Sequence, residues 1–403
     1  MKKVFVVFLI FVFGTAVFAE AMDEHLERDA TLDALVESLE TIHPDLYARY
    51  SPEEFQDEIA HLRSSMYMYD DLEFALSLSH LTSMVGDSHT SIKFGSVVQS
   101  SKVIPLGLDY FSDGYRAIVL PKEFSSHIGD VVVSIDGIDI ESCLARLGTI
   151  ISYDNEVWLK RQAMDMFTYS SILEFVGISD KHSDKVEIEF ESGATIALGK
   201  MSMDELRSIE TARAFKGEGG ISARRKVPYF FELDDEVVYI QYNTCRNNPD
   251  YTFQYMVDEI SKLDFEAIVI DLRNNGGGSD GVIWPLFELL KKKPYPVYCL
   301  IGENTFSSAV INTAQLDAWF DAILVGAPTG GSANHFGSLD FVELPNGLGV
   351  SISTKSIDLD AFFEGKTNYG WTSISPDFTV EESYGDYVNG IDKAYDFIKN
   401  DLI

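Results

Sequence analysis

Basic residues are scarce in this chain: 31 Lys and Arg stand against 64 Asp and Glu in 403 residues, a formal net charge of −33. A field of that sign repels polyanions and excludes nucleic acid and anionic membrane surfaces as partners. Cysteine is scarcer still. Cys143, Cys245 and Cys299 are too few and too scattered for a disulfide scaffold, and at most one pair could form. Cys299 lies inside the strand-like run Val297–Ile301 and reads as buried apolar filler. No Cys/His spacing resembles a zinc site. The glycines at 276–278 lack the Lys-Ser/Thr ending of a phosphate loop, and no dinucleotide fingerprint appears. Neither metal nor cofactor is expected.

What remains is ordinary for a globular chain, 46% hydrophobic and 24% charged, long enough for two or three domains. Residues 1–19 read as an export signal: Lys2 and Lys3, then apolar Val4–Phe13, then Val17 and Ala19 at the −3 and −1 positions of a cleavage site. The apolar run is too short for a permanent membrane span, and no cysteine follows it to carry a lipid. The expected location is extracellular or periplasmic, without stable membrane insertion.

Over 20–92 the pattern is helical. Leu32, Leu35, Val36 and Leu39 recur at helical spacing, and Ser51-Pro-Glu-Glu54 is a capping box with Pro at the first helical position. A third helix carries Leu72, Phe74, Ala75, Leu78 and Leu81 and ends at Gly86. Over 101–200 the texture turns to β, with strands at Ile104–Phe111 and Tyr115–Leu120, a helix at Leu144–Ile151 and a hairpin at Lys185–Leu198. Residues 201–228 are polar and read as a linker. From 229 to 403 strands and helices alternate, which predicts an α/β layer with a largely parallel sheet. Ligands of such sheets sit beyond the carboxyl ends of the strands.

Two features lie at such ends. The buried strand Ala267-Ile-Val-Ile-Asp271 runs into Leu-Arg-Asn-Asn-Gly-Gly-Gly278, and Asn304-Thr-Phe-Ser-Ser308 opens a helix after Val297–Ile301. Ser307 there reads from the motif alone first as a helix cap, and otherwise as a nucleophile in the field of a helix N-terminus. The Ser308 N–H and one from the glycine loop, Gly277 first and Gly276 or Gly278 otherwise, could face a developing oxyanion. His89 in Gly86-Asp-Ser-His-Thr90 is either a helix-end histidine bonded to a carbonyl or a general base. His335 is a second base candidate; with Asn334 it is assigned instead to a substrate-binding loop. Asp87 reads as a turn or surface residue, and Asp271 and Arg273 as braces of the glycine loop.

Asp271-Leu-Arg-Asn-Asn-Gly-Gly-Gly278, Thr305-Phe-Ser-Ser-Ala309 and Val325-Gly-Ala-Pro-Thr-Gly-Gly331 resemble the successive core motifs of the C-terminal processing (tail-specific) serine proteases. The resemblance spans about residues 230–380. It implies an α/β chain with a crotonase-like (ClpP/crotonase) catalytic domain, and Ser307 as nucleophile. Ile128-Gly-Asp-Val-Val-Val-Ser-Ile-Asp-Gly-Ile-Asp-Ile140 resembles, more loosely, the second half of a PDZ domain. The implied organisation is a helical N-terminal domain, a PDZ-like β domain and the catalytic domain.

One departure matters. Where the family places its dyad lysine, this chain has Ser332. Ser88-His89 is similar to the Ser-His element of the related tricorn core protease, which implies His89 as general base and Ser88 as its orienting partner. The same comparison implies Glu364, by its distance beyond Ser307. The function so implied is serine-type endopeptidase action on peptides or unfolded proteins, with oligomeric state left open. Two rivals stand beside it: a non-catalytic binding protein for apolar ligands or peptides on the same fold, and a hydrolase of small esters. If His89 is the base, the native chain turns over without a lysine at 332. Cleavage seen only in a Ser332→Lys variant would mark it as a dead relative.

Overall fold

The computed structural model describes residues 25–98, 101–217 and 224–403. The expected export signal, and residues 218–223 of the expected linker, lie outside them. Among the described residues no helix is long and apolar enough to cross a membrane. The architecture is mixed α/β with four sheets among those residues.

The N-terminal segment is helical over 25–42, Pro52–Ser65 and Asp71–Met84. Ser51 and Glu54 form the capping box read from the sequence, and Asp70 with Glu73 forms another on the next helix. Gly86 then takes φ +69, a left-handed turn that turns the chain out of the helix. It leads into β1 (Ser91–Lys93), and β1 pairs antiparallel with a strand near the opposite end of the chain. These helices do not build a core alone. Leu32, Leu35, Phe74 and Leu78 share one with Leu344, Leu348, Val350 and Ile352.

The middle segment holds β2 (Gly107–Phe111), β3 (Gly114–Pro121), β4 (Val132–Ile135), β5 (Ile138–Asp139), β6 (Lys185–Phe190), β7 (Thr195–Gly199) and β8 (Thr211–Arg213). They make two sheets, β2-β3-β8 and β5-β4-β6-β7. In β6, Val186, Ile188 and Phe190 are buried while Lys185, Glu187 and Glu189 face out, the period of two that a one-sided sheet requires. Two expectations are corrected here. The helix expected at Leu144–Ile151 spans Ile140–Leu147, because Asp139 caps it by accepting the Ser142 N–H. The expected linker over 201–228 contains a capped helix, Met203–Ser208, and β8, which extends the β2–β3 sheet. Both are short and lie on the surface, so their polar composition read as loop.

The last segment runs β9 (Tyr229–Asp234), β10 (Val237–Tyr242), β11 (Ala267–Asp271), β12 (Val297–Ile301) and β13 (Ile323–Gly326). Next come the hairpin β14 (His335–Glu343) and β15 (Gly349–Ile357), and finally β16 (Phe378–Thr379). The main sheet has the order β16-β13-β12-β11-β10-β9, parallel except for the edge strand β9. Every residue of β11 and β12 is buried, as their apolar runs require of a sheet covered on both faces. Helices Phe253–Ile260, Trp284–Lys292 and Ser308–Phe320 contribute Met256, Leu286 and Ala314 to the core on one face. The β14–β15 hairpin carries β1 on its outer edge and so brings the N-terminal segment against this layer. The three cysteines are buried and unpaired.

Asp271 and Arg273 brace the end of β11. Buried Asp271 accepts from Tyr239 Oη at 2.6 Å and Arg273 Nη2 at 2.6 Å, and Arg273 also reaches both carboxylate oxygens of Asp392 at 2.9 and 2.7 Å. Arg273→Ala strands the Asp271 carboxylate in the core. The expected loss is about 3 kcal/mol of unfolding free energy, read from denaturant midpoints; a change below about 1 kcal/mol would show that the brace is dispensable.

Candidate active site

The chain turns sharply between β12 and the helix Ser308–Phe320, and Ser307 stands at the turn. Its backbone has φ 54 and ψ −126, a strained conformation for a residue with a side chain, and its hydroxyl makes no capping hydrogen bond. Capping therefore does not explain this serine. Its neighbour differs: the Ser308 hydroxyl donates to the Gly278 carbonyl at 2.8 Å and is tied into the scaffold. Three motifs distant in sequence hold the turn. The Phe306 N–H donates to the Asn275 carbonyl at 3.0 Å, the Gly331 N–H to the Thr305 carbonyl at 3.0 Å, and the Thr305 hydroxyl to the Leu272 carbonyl at 2.9 Å. At Gly277, with φ +95, a Cβ atom would lie 2.8 Å from Ser307 Cβ and 3.0 Å from the Ser308 nitrogen. Only glycine permits that approach.

His89 and Ser307 line one cavity of about 840 Å³, together with Gly276, Gly278, Phe306, Ser308 and Leu339. Its Nε2 is buried without a hydrogen-bond partner. The ring stacks on Phe306 at 4.5 Å and on His335 at 5.4 Å between centroids. Nδ1 lies 3.4 Å from Ser88 Oγ and 3.7 Å from Asp87 Oδ1. An imidazole held by one nitrogen and bare at the other is what proton abstraction requires.

Asp87 is not the turn or surface residue that the sequence suggested. It is 1% exposed and accepts from the His89 N–H at 2.9 Å, the Thr90 hydroxyl at 2.6 Å and the Ser353 hydroxyl at 2.6 Å. His43 Nε2 lies 3.4 Å from Oδ2, the oxygen that also accepts from Thr90 and Ser353. Burial alone would raise its carboxyl pKa, but the bonds from His43, His89 and Ser353 outweigh burial and hold it well below the usual carboxylate range.

Behind Ser88 lies a second carboxylate. The Ser88 hydroxyl donates to Asp154 Oδ2 at 2.9 Å, and Asn155 Nδ2 donates to Asp154 Oδ1 at 3.1 Å and to Ser332 Oγ at 3.0 Å. Ser332, where the tail-specific proteases that the motifs resemble place a lysine, is 1% exposed and belongs to this same cluster. Burial pushes the Asp154 carboxyl up to about 6 against the opposing Ser88 bond, with the Asp87 charge adding to the rise. Neither Asp154 nor His43 was singled out from the sequence. Asp154-Asn155 reads only as the cap of a helix, Glu156–Met166, that polar composition concealed.

The structure thus brings Ser307, Ser308, His89 and Ser88 together, but four other expectations change. The Gly277 N–H donates to Asn275 Oδ1 at 2.9 Å, so it is not a free oxyanion donor here, whereas Gly276 and Gly278 line the cavity. Asn334 is consumed in scaffolding: Oδ1 accepts the Leu359 N–H at 2.8 Å and Nδ2 donates to Asp360 at 3.0 Å. Glu364 is exposed, in a turn with φ 54, and does not line the cavity. His335, expected in a substrate-binding loop, does not line the cavity either; its ring stacks on His89. Burial pushes its pKa down to about 4, helped by His89, and its Nδ1 lies 3.1 Å from the Ala333 carbonyl. That ring is neutral at physiological pH.

Asp87→Asn keeps the shape and removes the charge, with an expected loss of about 2–3 kcal/mol of stability. The folded carboxyl titrates below its unfolded value, so its stabilisation is present in full above about pH 4 and fades as pH falls toward the folded pKa. The gap between wild type and variant should be constant from about pH 5 to 8 and shrink below about pH 4. A gap that instead grows on acidification would show that Asp87 is neutral in the folded chain.

No family model and no curated protein matches the chain. Among solved structures it is similar to mature CPAF, with TM-score 0.61 and 14% identity over 94% of this chain and 97% of that chain. The likeness to mature CPAF complexed with lactacystin has TM-score 0.61 and 13% identity over 94% of this chain and 98% of that chain. A weaker one, TM-score 0.41 at 15% identity over 88% of this chain and 93% of the other, is to a photosystem II D1 C-terminal processing protease. Across nearly its whole length, the chain shares the fold of mature CPAF.

Proposed function

We propose that the chain is an exported serine-type endopeptidase that cleaves peptides or unfolded proteins through an acyl-enzyme on Ser307. The observation that carries the reading is a strained, uncapped serine at a helix N-terminus sharing a cavity with a histidine whose Nε2 is buried and unpartnered. The fold of mature CPAF and the three tail-specific protease motifs support it. On this reading residues 229–403 form a crotonase-like catalytic domain, with a PDZ-like domain over 101–200 and the helical domain over 20–92 supplying the base.

The chemistry follows from the geometry. Ser307 Oγ attacks the scissile carbonyl as His89 Nε2 takes its proton. The Ser308 N–H, at the first turn of the helix, and an N–H of Gly276 or Gly278 receive the oxyanion. His89 returns the proton to the leaving amine, and a water activated by the same ring releases the acyl group. Asp87, 3.7 Å from Nδ1, stabilises the imidazolium formed in between. Ser88 fills the orienting place the resemblance gives it, while Glu364, exposed as it stands, takes no part in this scheme.

Incubation with an unfolded protein, read by mass spectrometry, tests the reading. Wild type should release peptides, and Ser307→Ala and His89→Ala should each lose at least about 100-fold in rate while remaining folded by circular dichroism at the assay temperature. Peptide release undiminished in Ser307→Ala would overturn the proposal. Turnover of small esters without peptide cleavage would move the assignment to an ester hydrolase.

A further inference from the structure

We infer that Asp154 is a positioning residue that selects the reactive tautomer of His89 through the Ser88 hydroxyl. The inference rests on the assignment of His89 as base. A hydroxyl has one proton to give. Because Ser88 gives its proton to Asp154 Oδ2 at 2.9 Å, only its lone pairs can face His89 Nδ1 at 3.4 Å. A lone pair there stabilises the tautomer with the proton on Nδ1, which leaves Nε2, buried and without a hydrogen-bond partner, able to accept a proton from Ser307.

The direction of the relay is locked one step further back. Asn155 caps the helix Glu156–Met166 with Oδ1, accepting the Trp158 N–H at 3.0 Å. Its Nδ2 is therefore fixed toward Asp154 Oδ1 at 3.1 Å, and also donates to the Gly330 carbonyl at 2.8 Å and to Ser332 Oγ at 3.0 Å. Asp154 accepts on both sides and has no freedom to donate while ionised. The charged and titratable groups acting on it are Asp87, which opposes its ionisation, and His89, which favours it. Serine at 332 fits this arrangement. It joins the cluster as an uncharged hydroxyl, where a lysine ammonium would compete with Ser88 for the carboxylate.

The substitution Asp154→Asn turns the relay around. Asn155 still presents Nδ2, so the new amide keeps its oxygen on that side and points its own NH₂ at Ser88. Ser88 then receives a proton where it previously gave one, and its hydroxyl is released to donate to His89 Nδ1. That hydrogen bond favours the tautomer protonated on Nε2, which cannot act as base.

The test is ¹⁵N NMR of the histidine rings in the full chain above pH 7.5, with His89→Gln used for assignment. Wild type should show His89 protonated on Nδ1, Asp154→Asn should shift it toward Nε2, and in a Ser88→Ala background Asp154→Asn should have no further effect. In parallel, kcat for peptide cleavage should fall at least about 10-fold in Asp154→Asn with KM changed less than about 2-fold, and this loss should vanish in the Ser88→Ala background. An Asp154→Asn variant that keeps the Nδ1 proton, or whose loss of kcat is undiminished without Ser88, overturns the inference. Wild type protonated on Nε2 overturns it as well, and needs no variant to fold. A wild-type chain that cleaves nothing would count against the peptidase reading, while the ring tautomers would still decide the role of Asp154.

Discussion

The buried charge of Asp87 is the interaction on which the site depends. One carboxylate takes the His89 N–H, the Thr90 hydroxyl and the Ser353 hydroxyl, with His43 beside it. Those partners come from the N-terminal segment and from β15, so the same charge that fixes the histidine also clamps β1 onto the β14–β15 hairpin. An unpaired carboxylate at that depth would cost several kcal/mol, and this forces the donors to converge and leaves His89 little freedom. The shared core of Leu32, Leu35, Leu344 and Ile352 supplies the apolar part of the same junction. A histidine brought from one end of the chain to a serine near the other needs such a junction, because no local geometry sets their separation.

On the serine side the constraint is steric rather than electrostatic. Gly277 lies so close to Ser307 and Ser308 that a side chain has no room, and Gly331 closes the turn from the other face, where a Cβ would come within 3.1 Å of the Ser307 nitrogen. The strained φ of Ser307 persists because the glycine loop, the Thr305 bonds and the 328–331 segment over-determine it. Rigid backbone holds Ser307 while a hydrogen-bonded network holds His89. The two meet at a cavity lined by Phe306.

Much of this was legible in the sequence where the signal is local. The β11 and β12 runs, the glycine triplet, the Ser307 turn and the capping box at Ser51 each depend on residues within a few positions of one another. The Ser88-His89 element was visible through resemblance. Asp87 was misread because its decisive partner, Ser353, lies far away in the sequence and becomes a neighbour only when β1 pairs with β15. Asp154 was missed for the same reason: beside Asn155 it looks like a helix cap, and nothing local says that Ser88 will reach it. Glu364 rested on chain distance alone. A residue after the short helix Leu359–Phe362 goes where that helix is anchored, and Asn334 anchors it so that Glu364 faces solvent. The 201–228 segment shows a further limit, since a surface strand of three residues carries no periodicity to detect.

The central claim is that His89 activates Ser307 in particular. A fluorophosphonate reacts with activated serines, so the adduct can be mapped by mass spectrometry on the native chain and on His89→Ala. The account predicts a single adduct on Ser307 in the native chain and at least about a 100-fold slower reaction without His89. Labelling at Ser308, or labelling of Ser307 at an unchanged rate in His89→Ala, would contradict it.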